Sequence, residues 1–246
     1  MILRWYLFFA ALFAAFPQAA AESAPKIAII IDDLGYQLDA GRRAIGLPGP
    51  LAYAILPGTP RGRTLAEMAY RSGKEVLLHL PLEAVGYDGR PEPIGITLDM
   101  SHGAFRDIFA DAIDSVPFAI GVSTHRGSLL TRHPGHMDWL MQEIRNREGL
   151  FFIDSYTTHK SVALQIAGEL GVMATRRDVF LDNDRAPDAL AREFERLKGL
   201  ARNRGVAVAI GHPYPETLDF LERELQALDS QGLELVPVSE VLRVVR

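Results

Sequence analysis

Short, unbroken apolar runs recur along this chain, and each is followed by a longer amphipathic stretch. IAIII (27–31), LAYAIL (51–56), EVLLHL (75–80), FAIGV (118–122), LFFID (150–154), VAVAIG (206–211) and LELVPV (233–238) read as strands, with GVMAT (171–175) a weaker one. Helical patterns fill 38–46, 60–72, 101–115, 135–147, 160–170, 187–204 and 215–230. Ser101, Pro134 and Pro215-Glu216 mark helix starts; Gly73, Gly149, Gly171, Gly205 and Gly232 mark ends. Strands that are apolar on every residue are covered on both faces, which is the habit of parallel strands joined by helices. Seven or eight such units predict an α/β fold, a distorted (β/α)7-8 barrel of parallel strands, in preference to an open doubly wound sheet. PLEAVGYDGRPEPIGITLD (81–99) is longer than an ordinary strand-to-helix connection, and such loops are often functional.

The first residues lie outside this pattern. MILRWYLFFAALFAAFPQAAAES has one early cation, Arg4, an apolar stretch from Trp5 to Phe16 and then small residues ending in Ala19-Ala20-Ala21. This reads as a secretory signal peptide over 1–21, with one domain over 22–246 and a periplasmic or secreted protein. No stable membrane span is expected once the leader is cleaved. The sequence has no cysteine, which removes disulfides, thiolate ligands and cysteine nucleophiles. Net charge is −5 with acids and bases interspersed, so nucleic acid is not an expected partner. Arg176 and Arg177, like the many arginines of the helices, read as a solvated face.

In a (β/α) fold, the residues just past the strand C-termini share one rim, and chemistry belongs there. Asp32 and Asp33 end the first strand. His79 ends the third, with Glu83 four residues later. His125, Arg126 and Ser128 follow the fourth, Asp154 the fifth, Asp182 and Asn183 the sixth unit, and His212 and Tyr214 the seventh. Two adjacent carboxylates at the end of a buried strand repel each other and lose hydration unless a positive charge is close. Asp33, His79 and His125 would make a mixed O/N site for a divalent cation, of the kind Zn2+ favours, leaving Asp32 to accept a proton. The aspartate pair could instead cap a helix or hold a turn, and His79 could be a hydrogen-bonded core histidine. Tyr214 is either a platform for a sugar ring or a loop aromatic.

IIIDDLGY, EVLLHLPLE, GVSTHRGS, FFIDSYTT, DVFLDN and AIGHPYPET, in this order and spacing, resemble the divergent polysaccharide deacetylase family, a branch of the metal-dependent carbohydrate esterases. The resemblance spans Lys26 to about Val238. It implies a metal-dependent hydrolase that deacetylates a polysaccharide or peptidoglycan-type glycan. It implies Asp32 as base, Asp33 and His79 as metal ligands, and His212 as the acid that protonates the leaving group. The superfamily's strand-three motif has two histidines four residues apart. Here Glu83 holds the second place, leaving Glu83 or His125 to complete the set. On this reading Asp154 orients His212, and Ser128, Arg126, Asp182, Asn183, Tyr214 and Glu83 contact substrate. Two other functions fit the same residues: a retired esterase scaffold that binds glycan, and a metal-dependent phosphoesterase.

Overall fold

The computed structural model describes residues 24–86, 92 and 94–244; the leader expected at 1–21 lies outside the described residues. The strands are β1 (Lys26–Leu34), β2 (Ala52–Ile55), β3 (Glu75–Leu82), β4 (Ala119–Arg126), β5 (Phe151–Asp154), β6 (Ala174–Arg176), β7 (Val179–Phe180), β8 (Val206–Gly211) and β9 (Glu234–Leu235). The helices are α1 (Leu38–Ile45), α2 (Gly62–Arg71), α3 (His102–Ser115), α4 (Pro134–Arg145), α5 (Ala163–Glu169), α6 (Pro187–Arg204) and α7 (Pro215–Glu224). The ladders between these strands are parallel, in the order β6-β5-β4-β3-β2-β1-β8-β7, and β9 pairs separately with the start of β1. This is the distorted (β/α) barrel that the alternation of elements predicts.

Local signals act where expected. The Ser101 hydroxyl accepts from Ala104 N–H at the start of α3. Prolines occupy the first turns of α4, α6 and α7, where a missing N–H costs nothing. Gly205 ends α6 in the left-handed conformation, its N–H on Ala201 O.

Alternation along the strands separates two cores. Ile27, Ile29, Ile31, Tyr53 and Leu78 face outward into the helices. Ala28, Ile30, Ala54, Leu77, Ile153, Val208 and Ile210 face inward and form a second cluster containing no residue of α1 to α7. Phe151 also fills this interior. A Cβ on Gly121 would meet its ring at 2.4 Å, so the fourth strand must present glycine there. The C-terminal segment plugs the bottom of the barrel. The predicted strand at 233–238 pairs over only two residues before Pro237 removes a donor, and Val236, Val238 and Val241 then enter the inner cluster. Glu75 anchors this plug by accepting from the Val238 N–H.

The ring is irregular at one seam. The weak strand predicted at 171–175 is instead an extended run over 174–180 that changes neighbour midway. Phe152 pairs with Ala174 and Asp154 with Arg176; Ala209 then pairs with Val179 and Ile210 with Phe180. The switch falls at Arg177, whose N–H bonds Asp154 O, and Asp178, whose N–H bonds Val208 O. Arg177 is not part of a solvated face. Its Nε donates to Ser155 O at 2.7 Å and its Nη2 to Tyr156 O at 3.0 Å, spanning the gap that no ladder crosses.

Candidate metal centre

The mouth of the barrel collects polar residues because inward alternation continues past the apolar interior. On β1, Asp32 follows Ala28 and Ile30 and is 2% exposed. Its neighbour should point outward, toward the helices. Asp33 instead has φ 61°, and the β1–β2 register slips between Ile31 and Leu34. This bulge turns the second carboxylate into the same cleft. On β3, His79 follows the inward Leu77. On β4, Ser123 is the register partner of His79, and His125 lies one inward step further.

Three donor atoms then converge. Asp33 Oδ1 is 2.9 Å from His125 Nδ1 and 3.2 Å from His79 Nε2, and the two imidazole nitrogens are 3.2 Å apart. A divalent zinc ion about 2.0–2.2 Å from each ligand sets its ligand atoms a little over 3 Å apart. The residues therefore fit such an ion in both donor type and spacing. Two further observations support the fit. Asp32 Oδ1 is buried without a hydrogen-bond partner among the described residues. His79 Nδ1 lies 2.8 Å from Ser123 Oγ, an oxygen that can accept the Nδ1 proton when Nε2 faces a cation.

The two aspartates are unlike electrostatically. Burial pushes the Asp32 carboxyl above the usual carboxylate range, only partly offset by His79 and His212. Burial acts the same way on Asp33, but the facing imidazoles of His125 and His79 outweigh it and hold that carboxyl well below the usual range. Across the cleft, His212 continues the inward row of Val208 and Ile210. Its Nε2 is 3.7 Å from Asp33 Oδ2 and its Nδ1 is 2.9 Å from Asp182 Oδ1. Burial disfavours the imidazolium, but the Asp182 contact and charge, with help from Asp33 and Asp32, lift its pKa to about 9.

Several of the expected residues have other partners in the structure. Asp182, expected to touch substrate, is fully buried at its side chain and accepts from the His212 backbone N–H, the His212 ring and the Thr217 hydroxyl. Asp154, expected to orient His212, spends its carboxylate on Tyr156 N–H and the Ser161 hydroxyl, where burial raises its pKa. Glu83 lies outside the Asp33-His79-His125 cluster, and its carboxylate accepts from Leu98 N–H. Ser128 Oγ accepts from Val85 N–H. Asn183 is exposed and lines a separate hollow with Arg192 and Arg196.

Arg126 and Tyr214 do lie at the mouth. Arg126 Nη2 is 3.2 Å from Glu92 Oε1. Tyr214, 38% exposed, lines a groove of about 270 Å3 that starts at Asp33 and His212 and passes Gly35, Tyr36 and Pro213. Arg185 lies over the Tyr214 ring at 4.7 Å. Sequence reasoning did not single out Tyr36, Glu92 or Thr217, and did not pair Ser123 with His79. Only Ser123 had a signal, its two-residue spacing from His125.

The fold and site are thus an α/β barrel with an Asp-His-His cluster at its mouth, flanked by a buried aspartate and a carboxylate-held histidine. The chain belongs to the divergent polysaccharide deacetylase family, whose family model matches residues 29–242. It is 34% identical over 232 residues to the uncharacterized protein YibQ of Escherichia coli, covering 93% of this chain and 72% of that one. It is 36% identical over 218 residues to an uncharacterized protein of Haemophilus influenzae, covering 89% and 77%. The crystal structure of an uncharacterized protein from Agrobacterium tumefaciens superposes with a TM-score of 0.85 at 23% identity, covering 90% of this chain and 91% of that one. The fold is shared more distantly with two further proteins. One is the catalytic domain of a peptidoglycan N-acetylglucosamine deacetylase from Eubacterium rectale (TM-score 0.53, 13% identity, 90% and 94% covered). The other is a CE4-family pseudoenzyme from Bacillus anthracis (TM-score 0.51, 15% identity, 91% and 67% covered).

Proposed function

We propose that this protein is a metal-dependent hydrolase that removes acetyl groups from a cell-envelope polysaccharide. The observation that carries the reading is the triangle of Asp33 Oδ1, His79 Nε2 and His125 Nδ1, with Asp32 on one side and His212 on the other. A divalent ion held by Asp33, His79 and His125, with zinc the best match to the donors, would polarise the acyl carbonyl and activate a water. Asp32 is close enough to the centre, 3.5 Å from His79 Nε2, to take the proton of the attacking water, and its buried, raised carboxyl makes it a competent base. His212, kept protonated by Asp182, gives its Nε2 proton to the departing amine or alcohol. Asp182 holds the imidazole by Nδ1 and so directs Nε2 at the cleft. The groove between Tyr36 and Tyr214 gives a sugar ring two aromatic walls beside that nitrogen, and Arg126 stands at the opposite lip. The leader-like first 21 residues support a place of action outside the cytoplasm.

Metal analysis and hydrolysis of acetylated glycan by the same preparation test this reading. One ion per chain, lost together with acetate release in Asp33→Ala, is the expected result. A metal-free protein that binds glycan without releasing acetate would instead be a binding protein on an esterase scaffold. Activity confined to phosphate esters would make it a phosphoesterase.

A further inference from the structure

A histidine that ligates a cation through one ring nitrogen must carry its proton on the other, and that N–H needs an acceptor. For His79 the acceptor is Ser123 Oγ. For His125 the nitrogen facing Asp33 and His79 is Nδ1, so the proton falls on Nε2. That Nε2 is buried and has no hydrogen-bond partner among the described residues. The carboxylate nearest to it is Glu92, with Oε1 at 3.6 Å, just beyond hydrogen-bond length. Glu92 comes from the long Pro/Gly-rich segment after β3, and its side chain is only 14% exposed. It is held from two other elements. The Tyr36 hydroxyl donates to Oε2 at 3.0 Å, and Arg126 Nη2 lies 3.2 Å from Oε1. A movement of about half an ångström brings Oε1 into hydrogen-bond range of the imidazole.

We infer that Glu92 is the positioning residue of the metal centre: it accepts the Nε2 proton of His125, fixes the tautomer that presents Nδ1 to the cation, and so ties the 81–99 loop to metal binding. The inference rests on the metal-dependent reading above. A carboxylate in this position raises the basicity of the ligand it holds, and its loss weakens metal affinity by about 10–100-fold. The coupling runs both ways. Whatever factor Glu92 adds to metal affinity, the metal adds to the attachment of the loop.

The test is zinc affinity, by chelator competition, of the wild type, Glu92→Ala, Glu92→Gln and Tyr36→Phe. Glu92→Ala should bind zinc at least about tenfold more weakly. Glu92→Gln, which keeps an acceptor oxygen, should fall between it and the wild type. Tyr36→Phe releases one anchor of the loop but leaves the carboxylate, and should stay within about twofold of the wild type. Glu92→Ala binding as tightly as the wild type would overturn the inference while leaving the metal site intact. So would a Tyr36→Phe loss equal to that of Glu92→Ala, because loop anchoring would then explain the effect. A wild type that binds no zinc would overturn both the inference and the proposed function.

Discussion

Replacing Asp182 with asparagine isolates the electrostatic device behind the candidate acid. The carboxylate is buried at its side chain and receives the His212 ring at 2.9 Å, the His212 backbone N–H at 2.6 Å and the Thr217 hydroxyl at 2.8 Å. Against the opposing effect of burial, Asp182 is the largest of the influences that lift His212 from 6.5 to about 9, ahead of Asp33 and Asp32. At about 1.4 kcal/mol per pH unit, that lift is worth about 3 kcal/mol in favour of the imidazolium. The sign follows from linkage. A histidine whose folded pKa is raised contributes stability that is full below about pH 6.5 and is lost as pH climbs through about 9. In metal-free Asp182→Asn, the imidazole should titrate at least one pH unit lower than in the wild type, as read by NMR of its ring protons. Urea denaturation should show a deficit of about 1–3 kcal/mol at pH 6 that shrinks by pH 10. An unchanged His212 titration in Asp182→Asn would refute the reasoning, because the lift would then have another source.

Other perturbations separate the roles of neighbouring groups. Asp32→Asn should keep metal stoichiometry and lose about 10²–10⁴-fold in kcat for acetate release, whereas loss of metal in this variant would make Asp32 a ligand. Ser123→Ala removes the acceptor of the His79 Nδ1 proton and should weaken zinc binding about tenfold by chelator competition, with the fold intact by circular dichroism. Gly121→Ala drives a methyl to 2.4 Å from the Phe151 ring and should cost about 1–3 kcal/mol of stability in urea denaturation.

The elements of this fold were legible because their burial is repetitive. A strand covered on both faces must be apolar throughout, and a helix on its outside must show one apolar stripe, so β1, β3, β8 and α6 announce themselves. The rim was legible for the same reason, since polar residues directly after such runs can only be at the mouth. Pair identities were less accessible. Asp154 and Asp182 both follow a strand, and nothing in their neighbours says which one meets His212. The answer lies in the register of β7 with β8. Phe180 pairs with Ile210, so two residues on, Asp182 comes beside His212, while Asp154 sits across the seam on β5. With two residues, β7 is too short to show a pattern. Asp33 raises a related difficulty. Strand alternation would send it outward, and only a left-handed residue at a bulge brings both carboxylates into one cleft. Glu92 had no local signal, because its partners are 33, 34 and 56 residues away and its own segment has no period.

At the joint where the run over 174–180 changes neighbour, the Arg177 side chain supplies the fastening. Peptide ladders are common to every sequence that adopts a sheet, but a guanidinium clasp can be shortened, lengthened or deleted by one substitution. The wall that faces Asp32 from that side can therefore change its width by one substitution without any strand being redrawn. A barrel with a replaceable fastener offers a simple way to alter the width of its mouth over an unchanged floor.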